Sequence, residues 1–223
     1  MSKENDYHFI WYDIDEEDNV FGVKILDIRS YTQNITTTTN DKSIIDKFQQ
    51  LTKSDGKVFS NLLPENHKTI SCNLNYPCKG VTSGPVFISP EMDHKWNIYY
   101  HNSHFFFVRS WTGELIHRAH AEFKNNSLII QSIDTTKNEL RFTNDQLIVR
   151  EVDFLIKTHL LKMLAPHPVS EEMITEEPIR TAISSFNLYG KKANYASAED
   201  TTKFTFQQFV ESMKKLHGKK PQY

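Results

Sequence analysis

Residues 95–133 constrain this chain more than any other stretch. Four runs rich in aromatic and β-branched residues, KWNIYY, HFFFVRSW, ELIHRAHAEF and SLIIQSI, are separated only by His101-Asn102-Ser103, Thr112-Gly113 and Lys124-Asn125-Asn126. Links that short leave no room for a crossover helix, so the runs are read as a four-stranded antiparallel meander. Phe105 to Val108 is apolar without interruption. A strand of that kind has no face for water and belongs mid-sheet, covered on both sides.

The N-terminal third adds a second β unit. YHFIWYDI (7–14) and VFGVKILDIRSYT (20–32) flank the acidic run Asp15 to Asn19 and predict a β-hairpin. Residues 35–40 (ITTTTN) are read as a strand feeding a helix N-cap at Asn40 or Asp41. Ile44, Ile45, Phe48 and Leu51 then share one helical face, and Asp55-Gly56 supplies the exit turn. Residues 57–92 carry Pro64, Pro77, Pro85 and Pro90 and are expected to be irregular, as a functional loop or lid or as short edge strands.

Helical spacing governs the C-terminal third. Leu147, Ile148, Val152, Leu155, Ile156 and Leu160 form a stripe within 144–163, which Ala165-Pro166-His167-Pro168 ends. A second helix is predicted over 178–189, between Pro178 and Gly190, and an amphipathic third over 205–217. The fold expected is α+β: an antiparallel sheet, made of hairpin plus meander, packed by C-terminal helices. It forms a single domain over 1–223, β-rich to 135 and helical over 140–218.

Several function classes are disfavoured. The chain has 26 basic against 28 acidic side chains, a net charge of −2, which disfavours a dedicated nucleic-acid binder. Locally, residues 191–223 carry seven Lys against three acids, read as a solvated face first and as a weak binding surface for acidic partners second. No apolar run is long enough to span a membrane, and the first twenty residues lack the pattern of a signal peptide. A cytoplasmic location with no membrane contact is expected, with Cys72 and Cys78 as free thiols. With seven glycines, the sequence has no G-x-G-x-x-G, Walker A, G-x-S-x-G or H-E-x-x-H motif, and no cofactor is expected.

The histidines offer no closed metal site. His117 and His120 are three apart on one strand and point to opposite faces. His101 and His104 flank a two-residue turn and can meet, but two ligands do not complete a zinc site, so no metal is expected. A Cys/His nucleophile pair would require Cys72 or Cys78 in a setting that lowers its pKa, and neither lies in a recognisable one. The distinctive stretch is Arg109-Ser110-Trp111-Thr112-Gly113. Alternation puts Arg109 and Trp111 on one face, with Arg118 on the next strand. An Arg fork beside an aromatic plane suits a phosphate, carboxylate or base, unless Trp111 is core and Arg109 pairs internally.

KWNIYY…FFFVRSWTGELIHRAHAEF resembles a hairpin segment of a poorly characterised bacterial family with no established activity. SCNLNYPCKG…SGPVF and VDFLIKTHLLKMLAPHP extend the likeness over most of the chain. Such segments accompany ADP-ribose and conflict-related proteins in bacteria, and the resemblance assigns no catalytic role to residues 109–113. Two functions follow as expectations. One is a bacterial binding protein, an immunity or defence accessory factor acting on a protein partner. The other is an enzyme or sensor for an anionic small molecule, a nucleotide or ADP-ribose derivative, held by Arg109, Trp111, Thr112, Arg118, His101 and His104.

Overall fold

The predicted meander is the centre of a six-stranded antiparallel sheet in the computed structural model of the protein, which describes residues 7–137, 144–174 and 177–218. In chain order the strands are β1 (Ile10–Tyr12), β2 (Ile25–Asp27), β3 (His67–Pro77), β4 (Gly84–Phe87), β5 (Trp96–His101), β6 (His104–Arg109), β7 (Leu115–Lys124), β8 (Ser127–Thr136), β9 (His167–Pro168) and β10 (Tyr195–Ser197). The helices are α1 (Arg29–Thr32), α2 (Lys42–Thr52), α3 (Asp145–Leu155), α4 (Pro178–Tyr189) and α5 (Phe206–Gly218). The large sheet has the order β3-β8-β7-β6-β5-β4. Its tight turns use Asn102-Ser103 and Asn125-Asn126, all four in the left-handed region, as a two-residue hairpin turn demands.

Phe105, Phe106, Phe107 and Val108 are fully buried because the sheet is covered on both faces. On the inner face Phe105 and Phe107 join Trp96, Ile98, Ile130 and Ile133 in a core shared with Val152 and Leu155 of α3 and Tyr189 of α4. On the outer face Phe106 and Val108 pack with Tyr99, Leu115, Leu51 of α2 and Phe59. Each such side chain contributes roughly 1.5–3 kcal/mol through burial.

Four features differ from the sequence expectation. The 57–92 stretch supplies both sheet edges, the second of the two alternatives expected for it, but β3 is eleven residues long rather than short. It was hard to read because only Ile70, Leu74 and Tyr76 are buried along it. The N-terminal strands do pair antiparallel, but they are three residues each and belong to a second sheet, β1-β2-β10-β9, in which β9 and β10 run parallel. Residues 35–40 form no strand; Thr37 instead donates its amide to Asp93 Oδ1 (2.6 Å), while Asp41 caps α2 as expected. The 144–163 helix stays α-helical only to Leu155 and continues as a π turn over Ile156–Leu160. There Thr158 Oγ1 donates back to the Phe154 carbonyl (2.7 Å), a bond that competes with the regular ladder. Among the described residues no helix is long and apolar enough to cross a membrane.

Candidate functional site

The residues of the R-S-W-T-G stretch are engaged within the fold. The Arg109 fork donates to the carbonyls of Leu188 and Asn187 (2.8 Å each) and lies over the Trp96 ring at 5.0 Å. It thereby caps the C-terminus of α4, where cations are favoured. Ser110 donates to the His94 carbonyl (2.7 Å) and the Trp111 indole to the Met92 carbonyl (2.7 Å). The Thr112 hydroxyl accepts the Glu114 amide, and Gly113 takes the positive φ of the turn. Lys95 sits over Trp111 at 4.5 Å, and burial pushes its ammonium down to about 8.

Arg118, His101 and His104 lie on the opposite face of the sheet. Arg109 and Phe107 face inward, whereas Phe106, the cross-strand partner of Arg118, faces outward. The structure therefore does not bring Arg109 and Trp111 together with the other three. Arg118 forms a cross-strand ion pair with Asp134 (2.7 Å), whose other oxygen accepts from Thr69 Oγ1 (2.6 Å). The register aligns His101, His104 and His120 in one row across β5, β6 and β7. His101 is used at both nitrogens, by Ser83 Oγ (2.9 Å) and the Asp55 carbonyl (2.8 Å). His104 donates Nδ1–H to the Asn102 carbonyl (2.6 Å), and its ring centroid lies 5.2 Å from that of His120. Burial lowers the His104 pKa, and the charges of Arg118 and His120 add to the shift.

A concavity lies elsewhere, along β3. Two adjoining cavities of about 520 and 620 Å³ share Asn73, Leu74 and Thr202. Together they form a groove between the edge of β3, one side of α3 and the segment 198–207. A bulge between Ser71 and Leu74 sits at its centre, and exposed Ser71, Asn73 and Asn75 line it. Cys72 also lines the groove, but burial raises its thiol to about 11, which leaves it protonated at neutral pH.

A buried polar strut forms the floor. Lys157 Nζ donates to Asp153 Oδ2 (2.6 Å) and to the carbonyls of Thr201 and Thr202 (3.0 and 3.4 Å), and Tyr76 donates its hydroxyl to Asp153 Oδ1 (2.8 Å). Burial pushes the Asp153 carboxyl up, against the opposing pull of Lys157 and Tyr76. The ammonium has an acceptor for each of its three hydrogens, so the network stiffens the groove. Beside it, Arg150 donates to the Ala198 and Ser197 carbonyls (2.8 and 2.7 Å), while its buried Nε has no partner among the described residues.

Sequence reading missed the groove because its parts come from β3, α3 and the 198–207 turn, far apart in the chain. The one local signal was the charged pair Asp153 and Lys157, four apart on the otherwise apolar stripe. A second buried pair, His117 Nε2 with Glu151 Oε2 (2.7 Å), ties β7 to α3 and is almost completely inaccessible to solvent. No family model, no curated protein and no solved structure matches this chain.

Proposed function

We propose that the protein acts by binding, and that the groove beside β3 receives an extended segment of a partner protein. What carries this is the edge of an eleven-residue strand, unpaired among the described residues and opening into two contiguous cavities. An edge strand offers a row of main-chain donors and acceptors, the chemistry by which sheets add a further strand, while pockets beside it take alternate side chains. Eleven residues span about 36 Å, enough for a peptide to gain both register and affinity. The other edge is poorer: β4 has four residues, includes Pro85 and is bulged. The bulge in β3 and its terminal Pro77 also limit indiscriminate pairing. An accessory role in bacterial conflict, as the sequence resemblance implies, would work through contacts of this kind.

Hydrogen exchange of the protein with a partner recovered from its host tests the proposal. Bound partner should protect residues 67–77, and Asn73→Trp, which puts a large side chain at an exposed position shared by both cavities, should abolish binding without lowering Tm. Protection confined to other surfaces, or binding unchanged by Asn73→Trp, would overturn it.

A further inference from the structure

On the outer face of the sheet, away from the groove, we propose that His104 and His120 form a two-histidine chelate for a nitrogen-preferring divalent cation of the zinc, copper or nickel class. Four observations support it. First, the residues are directly opposed on β6 and β7, which holds their Cβ atoms about 5 Å apart on one face. Second, the ring centroids are 5.2 Å apart, and two imidazoles on one tetrahedral ion, with metal–nitrogen distances near 2.0 Å, have centroids about 5 Å apart. Third, the carbonyl of Asn102 can only accept, so His104 must carry its proton on Nδ1; that leaves the Nε2 lone pair for a metal and fixes the ring. Fourth, among the described residues no hydrogen bond engages the His120 ring. His101, third in the row, is withheld by its bonds to Ser83 and Asp55.

The surroundings define what kind of site this is. Asp134 is used by Arg118 and Thr69, so it neutralises the nearby guanidinium rather than supplying a third ligand. Among the described residues no group of three or more His, Cys, Asp or Glu is arranged so as to hold an ion. The chelate is therefore open, with water in its remaining positions, and imidazole ligands select the later first-row ions over magnesium or calcium.

Titration of tag-free protein with Zn²⁺, followed by calorimetry and by imidazole ¹⁵N shifts, is the test. One Zn²⁺ should bind per chain, with the His104 and His120 ring nitrogens shifting together. His104→Gln and His120→Gln should each weaken binding at least tenfold while metal-free Tm stays constant. His67→Gln, at the exposed start of β3, should leave binding intact. Absence of binding by the wild-type chain, or wild-type affinity in either His104→Gln or His120→Gln, would overturn the assignment.

Discussion

Replacing Lys157 with Met isolates the strut beneath the groove. Both charges are 3% exposed, so removing the ammonium strands the Asp153 carboxylate with, among the described residues, only the Tyr76 hydroxyl as donor. Breaking a buried pair from one side costs about 3–5 kcal/mol. The carboxyl can escape by taking a proton. From an ordinary pKa near 3.9 that costs about 4 kcal/mol at pH 7 and about 1.5 kcal/mol at pH 5, which caps this contribution. The Thr202 carbonyl loses its Lys157 donor as well, at roughly 1 kcal/mol where it stays dry, while the Thr201 carbonyl keeps the Phe204 amide. In the variant the folded pKa of Asp153 lies far above the unfolded one, so folding takes up a proton. The deficit against wild type should then shrink as pH falls from 7 to 5, opposite to ordinary acid destabilisation. Urea unfolding at the two pH values reads this directly. Asp153→Leu combined with Lys157→Met should be less harmful than the sum of the single changes, with a coupling of about 2 kcal/mol. A loss under about 1 kcal/mol at pH 7, or a deficit independent of pH, would refute the reasoning.

Arg109→Ala should cost about 2–3 kcal/mol in urea unfolding, since the α4 carbonyls lose charge-assisted donors, and Arg109→Lys should recover less than half because an ammonium cannot reproduce the fork. Gly56→Ala should cost about 2–4 kcal/mol: φ is +77°, and the added Cβ would meet Tyr99 Cδ1 at 2.2 Å, on a ring that is fully buried. Gly22→Ala, at a φ of +67° with open space around it, should show the backbone cost alone, about 1–2 kcal/mol. His167 is buried against Ser185 Oγ (2.8 Å), and burial, with Arg150 nearby, holds its imidazole down to about 3. The unfolded chain binds that proton near pH 6.5 and the folded chain does not, so stability is complete above pH 6.5 and falls by about 1.4 kcal/mol per unit as pH drops toward 3. His167→Gln should flatten the slope between pH 6 and 4; superimposable slopes would rule out this origin.

The meander was legible because its information is local. Alternation, Asn-rich two-residue turns and an apolar run from Phe105 to Val108 each report on neighbours within a few residues, and all three agree. Caps were equally plain at Pro178 and Gly190, and narrowed to Asn40 or Asp41 at α2. The face assignment of His117 against His120 followed from strand geometry alone, and the structure places His117 in the core and His120 outside. β3 was obscured because an edge strand with one partly exposed side need not be apolar, and HKTISCNLNYP reads as loop. β9 and β10 consist of two and three residues, too few to have a period at all.

The site depends on tertiary structure for a related reason. An Arg beside a Trp has the same sequence whether its fork meets a ligand or the last carbonyls of a helix, and only the packing of α4 against β6 decides. Arg118 and Arg109 are nine residues apart on adjacent strands, yet the pleat sends them to opposite faces. The groove joins residues 70–77, 145–157 and 198–207, whose approach no local pattern encodes. By itself the sequence set the meander strands, their turns and the helix caps, because hydrophobic period and backbone sterics act over a few residues. The tertiary structure decided which polar groups satisfy one another in the interior and which edge remains open, because those depend on contacts between segments distant in the chain.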